Sequence, residues 1–354
     1  MINTLYIENA VLDHPRVVEM ARRFPSAARV SCERYTAVFN PKGQNFRLQK
    51  QNPSLILARK FKNFVLATPQ GYGIGGLNNY YFSHMLNCIY DCRYCFLQGM
   101  YRSAHYVVFV NYEDFLGALD EKLALHPQEK VWFFSGYDCD SLALEPVTGF
   151  ASLLLQFLES RPQAMMELRT KSTQIQPLLG RESLPNVVAA FSFTPNEIAS
   201  RFEHKVPSVA KRVGAMAKLA AGGWRLGLRF DPLIYEEDFE SNYQKLFRQI
   251  FKKVDSSAVH SVTIGPFRMP RGYFRNVVRL YPEDGLLAGA FQNRGGMVSY
   301  NADQEAAMLD FCTRQLGEYV APEIIFSCFP QSRQNLVGGS SDVGYVSSGS
   351  VNDE

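Results

Sequence analysis

The chain contains no apolar run approaching the ~20 residues that a bilayer-crossing helix needs, so no membrane partner is expected. Residues 1–10 lack the basic start, apolar core and small-residue cleavage site of a secretory signal, and a cytoplasmic location is expected. Cysteine is scarce. Seven in 354 residues do not make a disulfide scaffold, and in a reducing compartment they read as free thiols, ligands or catalysts. Neither charge sign is in large excess: 37 Lys and Arg face 34 Asp and Glu, a net +3 that does not by itself mark a nucleic-acid binder. No internal repeat is visible.

What is present is an ordinary globular composition, 46% hydrophobic and 20% charged, in a length that suits one large or two smaller domains. Charge is unevenly spread. Residues 1–80 hold 11 Lys and Arg against 4 Asp and Glu, including the cluster Arg59, Lys60 and Lys62. Such a basic segment suits phosphate contacts as well as a plain solvated surface. The run Gly71-Tyr-Gly73-Ile-Gly-Gly76 matches G-x-G-x-x-G. A dinucleotide fingerprint must open a helix, whereas the residues that follow, 77–82 (LNNYYF), read as strand; a connector is expected here.

Short apolar segments and amphipathic stretches then alternate. Strands are expected at 80–86, 130–135, 165–169, 186–192, 225–230 and 261–264, with helices at 112–125, 147–158, 209–221 and 239–251. Repeated β/α units imply an α/β fold with a parallel sheet, and six of them point to an open or partial barrel. Its active site belongs at the carboxyl ends of the strands. A basic α/β segment (1–76) is expected to precede the barrel (77–270). A C-terminal cap and substrate region (271–330), containing a helix at 304–316 and a strand at 324–326, is expected to follow it. Residues 331–354, rich in Ser, Gly, Asn and Asp, read as a disordered tail.

The most informative stretch is Asn87-Cys88-Ile-Tyr-Asp-Cys92-Arg-Tyr94-Cys95-Phe96, with cysteines spaced C-x3-C-x2-C. Three thiolates on one tight loop can hold three corners of an iron–sulfur cube and leave the fourth iron open. A structural zinc site normally closes with four ligands; His84 is the one nearby residue able to complete it. Incidental core thiols are the third reading.

The motif, with an aromatic residue before its last cysteine, resembles that of the radical S-adenosylmethionine (SAM) enzymes. Cys95-Phe-Leu-Gln98 narrows the resemblance to the spore photoproduct lyases, which repair a UV-induced thymine dimer. Segments at 54–59, 168–172, 191–196, 222–232 and 265–268 fit the same family in order, so the likeness spans about residues 1–330.

The resemblance implies a partial (β/α)6 barrel of radical SAM type. It implies a [4Fe-4S] cluster on Cys88, Cys92 and Cys95, and SAM held by Tyr94, Ser135, Gly136, Ser141, Lys171 and Ser192. Cys139 is then the hydrogen-atom donor to the product radical, a role weighed against that of a small buried core thiol. DNA carrying the lesion is the implied partner, with Arg268, Arg271, Tyr273 and Arg294 against phosphates and base edges. An electron donor such as flavodoxin or ferredoxin is implied as well. Two positions depart from the family pattern. Phe96 stands where the lyases carry a tyrosine, and Arg294 lacks its tyrosine neighbour. Both leave open a different substrate, such as a peptide, nucleoside or metabolite, and a different fate for SAM.

Overall fold

A computed structural model of the protein describes residues 2–69 and 71–328; the tail expected at 331–354 lies outside them. The main sheet contains seven parallel strands that follow one another in chain order: Asn78–Phe82, Val131–Ser135, Ala164–Thr170, Val187–Ser192, Arg225–Leu233, Val259–Pro266 and Ile325–Ser327. Leu66–Ala67 pairs antiparallel at the outer edge of the first. A sheet whose strands add in sequence curls in one direction, and here it stays open as a half-barrel. The strand sequences explain their placement. Val187–Ser192 (VVAAFS) is buried at every position, as a parallel strand covered on both faces must be. The covering helices are amphipathic: Phe239–Phe251 buries Phe239, Tyr243, Leu246, Phe247 and Ile250, a three-to-four-residue spacing.

Four expectations need correction. The basic segment 1–76 does not form a unit of its own. Its sheet runs Ala28–Cys32, Thr4–Glu8, Leu55–Ala58, then Tyr106–Phe109 and Met85–Leu86, so it recruits strands from both sides of the cysteine loop. The strand expected at 80–86 is therefore two strands in two sheets. The C-terminal strand does not belong to a cap. Ile325–Ser327 pairs in parallel with the sixth barrel strand, Val262 opposite Ile325, and extends the barrel to seven. The expected helix at 147–158 is broken by Gly149, whose φ of +61° only glycine adopts without cost. The connector at 71–76 opens no helix and leads into the first barrel strand.

A buried ion pair braces the sheet. Arg229 of the fifth strand and Glu167 of the third are both fully buried and meet bidentately, Nε to Oε1 at 3.1 Å and Nη2 to Oε2 at 2.7 Å. The guanidinium also donates to the Ser261 carbonyl and hydroxyl on the sixth strand, at 3.0 and 2.8 Å. Small residues clear its path: a Cβ on Gly227 would sit 2.7 Å from the Arg229 guanidinium and 2.8 Å from the Ala190 methyl. Burial pushes the Glu167 carboxyl up, but the Arg229 and Arg169 guanidiniums outweigh it and hold the pKa at about 2. Its stabilisation is therefore full above the ordinary carboxylate range and is lost as pH falls through about 2. Glu167→Gln, which strands a buried guanidinium, is expected to cost about 3–5 kcal/mol in denaturant unfolding at neutral pH. A loss under 1 kcal/mol would contradict the bracing role.

Candidate active site

The cysteine loop sits where the two sheets meet. After Met85–Leu86 the chain turns at Asn87, whose φ of +71° asparagine tolerates. The Asn87 amide group holds the turn: Nδ2 donates to the carbonyls of Ser103 (2.9 Å) and His105 (3.1 Å), and Oδ1 accepts from the Cys88 N–H (3.0 Å). Asp91–Cys92 then pairs antiparallel with Glu203–His204, and the Cys95 N–H closes a turn on the Cys92 carbonyl at 3.1 Å. Cys92 is buried; Cys88 and Cys95 are partly exposed.

The donor chemistry of this loop fits an iron–sulfur cluster. Backbone N–H groups of Tyr90 and Leu97 donate to the Cys88 and Cys95 sulfurs, and the Lys50 and Lys171 ammoniums lie within electrostatic reach. Without a cation, burial pushes the Cys88 thiol up to about 12 and raises Cys95 as well. Three thiolates here need an added positive charge, which bound iron would supply. A closed zinc site would need a fourth ligand beside the three cysteines. His84, the one candidate for a fourth zinc ligand, is buried and stacked on Phe150 at 4.1 Å with an 8° tilt.

The residues expected to hold SAM gather at the strand ends. Gly136 follows the second strand with φ +82°, and a Cβ there would approach Ser141 Oγ to 2.6 Å. Ser141 Oγ donates to the Ser135 carbonyl at 3.0 Å, so these three positions form one edge. Asp140 ties that edge to the third strand. Its Oδ1 accepts from the N–H groups of Leu142 (2.9 Å) and Ala143 (2.8 Å) and from Thr170 Oγ1 (2.6 Å). Its Oδ2 accepts from the Lys171 N–H at 2.6 Å. The Lys171 ammonium lies 5.5 Å from the Tyr94 ring centroid and 3.9 Å from Glu203. Glu203 is buried and also takes hydrogen bonds from the Tyr94 hydroxyl, from Arg212 and from Thr194 Oγ1 (3.1 Å). Arg212 Nη1 in turn donates to the Ser192 carbonyl at 2.7 Å. Asp140, Glu203 and Arg212 were not assigned from the sequence. Nothing in the sequence separates a buried carboxylate on a strand end from a surface one.

Cys139 is buried between two carboxylates. Burial, then the neighbouring Cys88, Asp138 and Asp140, push its thiol far up, so it stays S–H. Asp138 is itself raised to about 6 by burial, moderated by Lys60, Tyr101 and Ser83. The four expected substrate contacts separate. Tyr273 is half-buried and faces Asp138 and Tyr137 electrostatically. Arg271 is exposed. Arg268 is held by Asp231 (3.0 and 3.3 Å) and by the Tyr72 hydroxyl at 3.4 Å. Arg294 pairs with buried Glu305 and donates to Ser299 Oγ (3.0 Å) and the Tyr300 carbonyl (2.9 Å), so it ties a hairpin to a helix. Within the basic cluster, Arg59 pairs with Asp114 at 3.5 Å, and the Lys60 ammonium lies over the Phe109 ring within reach of Asp138. Sequence reading also missed an aromatic group, in which Tyr137 stands 4.7 Å from Tyr81 and 5.5 Å from Phe96.

Replacing any one of Cys88, Cys92 or Cys95 by Ala is expected to abolish stable iron and sulfide content after anaerobic reconstitution, whereas His84→Phe retains both. Wild-type iron in a cysteine variant would remove that residue from the site.

A sequence profile of the spore photoproduct lyase family matches residues 60–286. The spore photoproduct lyase of Bacillus subtilis is 23% identical over 319 residues, covering 86% of this chain and 91% of that protein. The one from Clostridium acetobutylicum is 19% identical over 291 residues, covering 81% and 84%. The fold is similar to that of a solved spore photoproduct lyase variant with bound AdoMet and dinucleoside spore photoproduct, with TM-score 0.79, 18% identity, and coverage of 93% of this chain and 98% of that one. A spore photoproduct lyase complexed with dinucleoside spore photoproduct superposes with TM-score 0.77 at 19% identity. With its cysteine loop at the strand ends and a matching profile across most of its length, this chain belongs to the spore photoproduct lyase family.

Proposed function

We propose that this protein is a radical SAM DNA-repair lyase that cleaves spore photoproduct, 5-thyminyl-5,6-dihydrothymine, back to two thymines. The observation that carries this reading is the three-cysteine loop with the buried Cys139 beside it, on the edge expected to bind SAM. When bound, a reduced [4Fe-4S] cluster with SAM supplies a 5′-deoxyadenosyl radical. The chain's own residues prepare the rest. Gly136 and Ser141 offer a backbone and hydroxyl edge to the methionyl group. Lys171, steadied by Glu203, offers an ammonium to its carboxylate, and Tyr94 presents a ring fixed through its hydroxyl. Ser192 completes the rim at the fourth strand. A lesion inside a duplex must be extruded to reach this mouth, at a few kcal/mol, less for a damaged site. Tyr273 and the exposed Arg271 are the contacts best placed to receive it; Arg268, with its aromatic partner Tyr72, lines the approach. Once a hydrogen atom has been taken from the lesion and the bond between its two bases has broken, Cys139 would give its hydrogen atom to the resulting thymine radical and be left as a thiyl radical, a step suited to a thiol with a weak S–H bond. A one-electron donor of the flavodoxin or ferredoxin type supplies the reductant.

A second reading keeps the chemistry and changes the substrate. Phe96, which has no phenolic hydrogen to relay, and Arg294, which is committed to Glu305, favour it. Turnover separates the two. Anaerobically reconstituted protein with SAM, dithionite and dinucleoside spore photoproduct is expected to release the repaired dinucleoside. Formation of 5′-deoxyadenosine without repair would overturn the repair reading and retain the radical one. Cys139→Ala is expected to cleave SAM still but to divert the product from clean repair; normal repair by this variant would remove the donor role.

A further inference from the structure

Lys50 is a buried cation that the proposed chemistry does not use. It sits near the end of the short helix Phe46–Gln51, with its side chain only 7% exposed. Its ammonium lies within electrostatic reach of the Cys88 and Cys95 sulfurs. Its partner is Asp91, 3.9 Å away, which lies inside the cysteine motif and itself acts on Cys95. Asp91 is shared: Gln98 Nε2 donates to it at 3.0 Å and Arg93 at 3.3 Å. Arg93 also lies 4.0 Å from Asp284, so Lys50 and Arg93 alternate with two carboxylates beside the thiol loop. Lys50, Asp91 and Arg93 line a cavity of about 570 Å³ with His204, Lys205 and Tyr281. None of the residues assigned to SAM lines it, so cofactor binding leaves this pair in place.

We infer that Lys50 and Asp91 act as an opposed pair of positioning charges that sets how readily a cluster on Cys88, Cys92 and Cys95 accepts its electron. The physical reason is Coulombic. Reduction adds one negative charge and forms or breaks no bond. A cation covered by protein favours the reduced state, and a carboxylate disfavours it, more strongly than either does in water. Lys171 also acts on Cys92 and Cys95, but from the side of Tyr94 and Glu203, whereas Lys50 reaches Cys88 and Cys95 from another element. The inference rests on the cluster reading above.

The test is a reductive titration of the anaerobically reconstituted full chain, followed by the electron paramagnetic resonance signal at a fixed dithionite and mediator poise. Lys50→Met is expected to lower the ratio of reduced to oxidised cluster by about tenfold, Lys50→Arg to keep it, and Asp91→Asn to raise it. Opposite signs are the signature of charge, since a merely structural perturbation moves both variants the same way. Each variant is compared at wild-type iron and sulfide content. A Lys50→Met ratio equal to wild type overturns the inference, as do equal-sign shifts. Asp91→Asn without a rise is sufficient by itself, should Lys50→Met fail to assemble. Wild-type protein that binds no cluster overturns the site reading and this inference with it, a result distinct from a cluster that reduces alike in all variants.

Discussion

Three thiols confined to one short bend pose an electrostatic problem that the surrounding structure is arranged to meet. Buried thiolates repel one another and lose hydration, and the raised Cys88, Cys92 and Cys95 thiols express that cost. The loop answers with backbone N–H donors from Tyr90 and Leu97 and with two lysines reaching it from different elements, Lys50 and Lys171. What remains uncompensated is the negative charge on the sulfurs themselves, which bound iron would balance. Cys139, close by, is raised in the same way, first by its burial and then by Cys88, Asp138 and Asp140.

The fold supplies that arrangement by interleaving two sheets. The first barrel strand lies in the main sheet, whereas Met85–Leu86 and Tyr106–Phe109, on either side of the loop, pair with each other in the second sheet, so the bend is anchored at both ends. Buried carboxylates then join separate elements. Asp140 couples the second strand to the third, and Glu203 couples the loop's Tyr94 to Lys171 and, through Arg212, to the fourth strand. Deeper in the sheet, Glu167 and Arg229 brace three strands. Each of these groups is expensive to bury and tolerable only because every one is hydrogen-bonded. The catalytic rim therefore depends on a polar framework rather than on loop packing.

Much of this was legible in the residue order. Period and apolar content place the barrel strands and most helices because parallel strands covered on both faces read as short continuous apolar runs. The cysteine spacing marks the site because few other patterns bring three thiols onto one bend. The short strand Ile325–Ser327 was assigned to a cap, because its parallel pairing partner lies far away in sequence. The split of 80–86 between two sheets was also hidden, since both halves are apolar. The ion pair of Arg294 with Glu305 was hidden too, because sequence cannot show Glu305 folding back against it. Glu203, Asp140 and Lys50 carry no motif; only tertiary structure turns an ordinary charged residue into a buried one.

The most direct test of the central claim is the spectrum of the reduced cluster with and without SAM. Oxygen-free protein, reconstituted with iron and sulfide and reduced by dithionite, is expected to give an electron paramagnetic resonance signal that changes shape when SAM is added, because an iron without a protein ligand takes up the cofactor. A signal unaltered by SAM, or protein that assembles no cluster at all, would contradict the account.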